Sequence, residues 1–136
     1  MHYTPSGKDA IDVPLLGFTV ADAPPEKRWI STSAGGAGVG AGGQDSAAFV
    51  IPPNEPNYAA PPAEAELGAD AELVMFQPHM HVRGKDMTYT VKFPDGKQQV
   101  VLSVPKYDFN WQLQYMLAEP LRLPKGTKLH VQAHYN

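Results

Sequence analysis

The chain has 136 residues with 14 prolines, 12 glycines and no cysteine, and its 11 basic and 14 acidic side chains leave a formal charge of −3 at pH 7. That length holds one core. Without thiols, disulfides and thiolate metal sites are excluded, and any metal must be held by His, Met, Asp or Glu. Without a basic cluster, nucleic acid and anionic lipid are excluded as partners.

Proline and glycine are scattered through short apolar runs, which leaves no segment on which a helix of any length could stand. No run is long enough for a membrane-spanning helix, so no membrane insertion is expected. The opening Met1-His2-Tyr3-Thr4-Pro5-Ser6-Gly7-Lys8 lacks the basic start and apolar centre of a signal peptide. Either the protein is cytoplasmic or its native start lies upstream. In chain order, strands are expected over residues 15–21 and 28–32. Residues 33–43 are nearly all Gly and Ala and read as a flexible loop; the Lys-Ser/Thr ending of a phosphate-cradling loop is absent. A strand at 47–51 precedes Pro52-Pro53-Asn54-Glu55-Pro56-Asn57 and Ala59-Ala60-Pro61-Pro62-Ala63, extended connectors in which ladder pairing is not expected because proline lacks the donor.

Further strands are expected at 71–82, 87–93, 98–104, 112–118 and 128–135. The Pro94-Asp95-Gly96 step between alternating segments marks a hairpin, and Leu123-Pro124-Lys125-Gly126-Thr127 marks a second turn. In the last strand Leu129, Val131, Ala133 and Tyr135 take one face and His130, Gln132 and His134 the other, which is then either solvent-facing or a site. Many short strands separated by turns predict an all-β antiparallel sandwich with a Gly/Pro-rich loop region.

The most informative tetrapeptide is Pro78-His79-Met80-His81. On a strand, His79 and His81 would share a face with Cα atoms ~7 Å apart, while Met80 points the other way. Two imidazoles at this spacing can meet on one metal, and imidazole suits zinc, copper, iron or nickel. The plain alternative is a pair of surface histidines. His134 is a candidate third ligand or a histidine that supports the site, and His130 shares its face. Met75 and Met87 could offer sulfur, although Met75 between Val74 and Phe76 reads as core filler. Residues 107–112, Tyr-Asp-Phe-Asn-Trp-Gln, read either as the wall of a cleft for an organic substrate or as a segment whose Phe109 and Trp111 alternate into the core. Arg83 invites a carboxylate-bearing substrate, with a solvated or paired arginine as the alternative.

Read together, Pro78-His79-Met80-His81-Val82-Arg83-Gly84-Lys85-Asp86-Met87, Tyr107-Asp108-Phe109-Asn110-Trp111-Gln112, Leu123-Pro124-Lys125-Gly126-Thr127 and Ala133-His134-Tyr135-Asn136 resemble the bacterial branch of the copper type II, ascorbate-dependent monooxygenases. Peptidylglycine α-hydroxylating and dopamine β-monooxygenases are the animal relatives. The resemblance implies paired jelly-roll β-sandwich domains, each with one copper: three histidines hold the ion that relays electrons from ascorbate, and an H-x-H pair with a methionine holds the ion that activates oxygen to hydroxylate a substrate C–H bond. Carried over, His79 and His81 are ligands of the oxygen-activating copper. Met1-His2-Tyr3-Thr4-Pro5 resembles the end of the first domain, which would make His2 a ligand of the relay copper. The chain then reads as an internal piece: residues 1–32 as the last strands of domain one, 33–63 as loop and linker, and 64–136 as most of domain two, without its methionine ligand. Other domains or chains would complete both sites, the substrate would be a small organic molecule, and the protein would be exported to the periplasm or beyond. Two rival classes are a non-catalytic metal-binding module and a structural or interaction sandwich; a zinc hydrolase would need three protein ligands and a water.

Overall fold

The computed structural model describes residues 6–31 and 50–136. By contacts the chain divides into two units, Met1–Ile30 and Ser31–Asn136. In the first, residues 6–30 are exposed throughout and contain neither helix nor strand, and Ile11, Leu15, Phe18 and Val20 all face solvent. The strand expected at 15–21 is therefore not formed, nor is one formed over 28–31. Apolar alternation supplies a pattern, but a strand exists only where an edge accepts its backbone groups, and none of the ladders takes these residues. Residues 32–49, with the loop of 33–43 and the start of the strand expected at 47–51, lie outside the described residues; residues 50 and 51 are not strand.

The described residues of the second unit form seven strands: β1 (Tyr58–Ala59), β2 (Ala63–Glu66), β3 (Ala71–Phe76), β4 (Gly84–Lys92), β5 (Gln98–Val104), β6 (Tyr115–Leu123) and β7 (Lys128–Tyr135). One antiparallel sheet runs β1-β7-β4-β5, with β2 also on β7, and the other pairs β3 with β6. No helix occurs among the described residues, so none could cross a membrane. The connector segment does pair, contrary to expectation. Tyr58 and Ala59 lie opposite Tyr135 and His134, Ala63 to Glu66 lie opposite Val131 to Lys128, and Ala60 N donates to Ala133 O at 3.0 Å. Pro61 and Pro62, which have no N–H to offer, fall in the gap between β1 and β2 on this outer edge.

The hairpin β4–β5 turns as its sequence demands. Gly96 N donates to Phe93 O at 3.0 Å, Phe93 N to Lys97 O at 2.8 Å, and Gly96 takes φ 86°, a conformation costly for any residue with a Cβ. Strand β6 begins later than expected and runs through Pro120. The residue is tolerated because the β3–β6 register breaks between the pairs Leu73–Leu121 and Met75–Met116, leaving Pro120 outside the ladder on an edge strand.

Side chains from both sheets share one core: Met87, Tyr89, Val131, Ala133 and Tyr135 from the larger sheet and Phe76 from the smaller, with Met80 and Tyr107 contributed by loops. The Phe76 and Tyr89 rings join the layers at 4.7 Å between centroids, and burial pushes the Tyr89 hydroxyl up to about 12. Tyr135 is also shifted up, by burial and then by the neighbouring Tyr107. Arg83 ties the connector to the end of β7. Its Nη2 donates to Pro52 O at 3.2 Å and its Nε to Asn136 O, so the arginine is committed to backbone carbonyls rather than open to a substrate.

Candidate functional site

The histidine pair does not lie on a strand. Strand β3 ends at Phe76, two residues before Pro78, whose missing N–H cannot extend the ladder. Residues 77–83 form the link that carries the chain from the smaller sheet to the larger one. Alternation nevertheless survives: His79 and His81 are exposed while Met80 between them is 2 % exposed. Its cause is Tyr107. The buried phenol oxygen accepts from Met80 N at 3.0 Å and donates to Met80 O at 2.5 Å, closing both backbone groups with one hydroxyl. Gly84 makes room for this clamp, since a Cβ there would lie 2.6 Å from Met80 Cβ and 2.8 Å from a Tyr107 ring carbon. Gly84 N also donates to His81 O at 2.8 Å.

Held this way, the His79 and His81 rings stand edge to face with centroids 5.3 Å apart. The Gln112 side-chain oxygen lies 2.5 Å from His79 Nδ1, and the Gln112 amide nitrogen donates to Phe109 O at 2.8 Å. Among the described residues no hydrogen bond reaches the His81 imidazole. Val82, Gly84, Tyr107, Phe109, Trp111 and neighbouring residues line an open cleft of about 620 Å³, within the range of small-molecule sites, and neither His79 nor His81 is among its lining residues. Trp111 is 65 % exposed and Phe109 is half-buried against the core. Both aromatics therefore line the cleft, Phe109 also packing against the core and Trp111 standing mostly in solvent.

The other two described histidines sit on the outer face of the larger sheet, alternating with buried Val131, Ala133 and Tyr135. His134 Nδ1 meets Asp86 Oδ1 at 2.6 Å. His130 Nδ1 lies 3.4 Å from Glu64 Oε2 and 3.2 Å from Lys92 Nζ. Glu64 is the hub of this face, with Lys92 at 2.8 Å and Lys128 at 3.3 Å, and hydrogen bonds from these two ammonium groups hold its carboxyl down at about 2. The structure does not bring His134 to His79 and His81: among the described residues no group of three or more His, Cys, Asp or Glu is gathered for a metal. Met87 belongs to the core and Met75 to strand β3 opposite Met116. His2 lies outside the described residues.

Three residues that build the site escape a reading by composition and spacing. Tyr107 and Gln112 act on the histidine loop from 27 and 33 residues away. Gly84 follows His81 by three positions, inside the run that carries the resemblance, and its close approach to Met80 and Tyr107 is seen only in the fold. Comparison of the chain with family models, with curated proteins and with solved structures finds no match.

Proposed function

We propose that this chain binds one copper ion through the imidazoles of His79 and His81, as the oxygen-activating half of a copper- and ascorbate-dependent monooxygenase that hydroxylates a C–H bond of a small organic substrate. The observation that carries the reading is the pairing of two exposed imidazoles, 5.3 Å apart, on a loop whose intervening residue is clamped in the core. A site that presents ligands from a rigid support loses less on binding than one that must first be ordered. The donor set fits a half-built site: two neutral nitrogens suit either copper oxidation state, and the further ligands, with the relay copper, would come from other domains or chains. When bound, copper would supply one-electron chemistry with oxygen, with ascorbate as the reductant. The chain's own residues would orient the two imidazoles through Met80 and seat the substrate in the cleft beside Trp111. On the same reading the two-layer fold is a jelly roll and the protein is exported.

A second reading is favoured by one observation, the lack of a third ligand at the pair among the described residues. It is a non-catalytic copper-binding module of a larger protein. Titration with Cu(II) followed by electron paramagnetic resonance should show nitrogen coupling from two imidazoles, absent in His79→Ala/His81→Ala; a signal without that coupling would sink both readings. Ascorbate-dependent oxygen uptake that requires both histidines would then select the enzyme, and its absence the module.

A further inference from the structure

The contact between Gln112 and His79 fixes more than a distance. We infer that Gln112 is a positioning residue that locks His79 in the tautomer protonated at Nδ1, so that Nε2 is the nitrogen offered to a ligand. The argument is one of donors and acceptors. Gln112 has one oxygen and one NH2, and its amide nitrogen is spent on Phe109 O at 2.8 Å. Turning the amide over would set its oxygen against that carbonyl oxygen, two acceptors facing each other with no proton between them. The amide therefore presents oxygen to His79, and at 2.5 Å the imidazole must answer with N–H at Nδ1. The lone pair is left on Nε2.

This arrangement runs against the preference of an imidazole in water, which keeps its proton on Nε2. A residue that reverses it has chosen which nitrogen the pair displays. His81 has no such partner among the described residues, so the lock is one-sided. Gln112 belongs to the same loop, between β5 and β6, that contributes Lys106 to Trp111 to the cleft, so the segment that walls the cleft also sets the histidine. Outer hydrogen-bond partners of this kind orient metal-bound histidines, and losing one typically weakens metal binding about 10–100-fold.

The inference deepens the copper reading but is tested apart from it, on the metal-free chain. Long-range nitrogen–proton correlation spectra of neutral histidines should show His79 protonated at Nδ1 in the wild type. In Gln112→Leu the proton should move to Nε2, and Gln112→Glu, which keeps an acceptor oxygen at the same reach, should return it to Nδ1. Dispersed amide spectra of each variant establish that it is folded; should Gln112→Leu fail that check, Gln112→Asn, which keeps the amide but falls short of the ring, replaces it with the same expectation. A wild-type His79 protonated at Nε2, or a folded acceptor-free variant whose His79 keeps the proton on Nδ1, would overturn the inference. A copper titration of the same proteins should show affinity about 10–100-fold lower in Gln112→Leu. A chain that binds no copper at all would defeat the proposed function and leave the tautomer result standing.

Discussion

Two pairs of histidines sit in this molecule under opposite conditions. His130 and His134 lie on the outer face of the larger sheet, each with Nδ1 against a carboxylate of its own face. His79 and His81 stand on a loop, their rings paired with no carboxylate among the described residues, supported through a backbone clamp and a single neutral amide. The first pair is absorbed into the electrostatics of the sheet; the second is displayed. A histidine becomes a site through what its ring nitrogens already touch and how firmly its backbone is held, and a count of histidines reveals neither.

The sharpest way to break this contrast is to remove the clamp. Tyr107→Phe deletes one oxygen and leaves Met80 N–H and C=O buried without partners, each costing about 1–3 kcal/mol. A loss of roughly 2–4 kcal/mol in urea unfolding is expected, together with a widened or mobile histidine pair by NMR. A loss below about 1 kcal/mol would show that the clamp does not hold the loop. Gly84→Ala should follow at about 1–3 kcal/mol, because its Cβ would overlap Met80 and Tyr107 unless both shift; unaltered stability would mean the loop has slack.

On the sheet face the effects should be smaller. Lys92 and Lys128 lower the folded-state pKa of Glu64 from 4.5 to about 2, so its stabilising contribution is present above pH 4.5 and fades as pH falls toward 2. The carboxylate is 36 % exposed, and solvent screening holds the contribution to about 0.5–1 kcal/mol. Glu64→Gln should remove that slope between pH 5 and 2 while leaving copper binding at His79 and His81 unchanged; an unchanged slope would assign the acid sensitivity elsewhere. Least of all should Thr127→Val matter. The Thr127 hydroxyl is fully buried without a partner among the described residues, so the isosteric apolar side chain should be neutral or stabilise by up to about 1 kcal/mol in thermal unfolding.

What the sequence disclosed follows the same division. The turn at Asp95-Gly96 and the alternation of Val131, Ala133 and Tyr135 are local signals, and the strands they mark are found where expected. Residues 15–21 carry an equally apolar pattern and form no strand, because pairing is a property of the neighbour as much as of the segment. The H-x-H was visible as two residues pointing one way, but the strand invoked to align them ends at Phe76. Its replacement, one phenol oxygen reaching from residue 107, is a contact across 27 positions that no window of neighbouring residues contains. Gln112 was legible as the end of the segment 107–112 and as the start of a strand expected at 112–118; the strand begins instead at Tyr115, and the fold sets Gln112 against His79.

The most direct test of the contrast is a copper titration of three proteins: wild type, His79→Ala/His81→Ala, and His130→Ala/His134→Ala. One copper per chain is expected in the wild type and in the sheet-face variant, and none in the loop variant. Copper retained without His79 and His81, or lost with His130 and His134, would contradict the account and place the metal chemistry on the wrong pair.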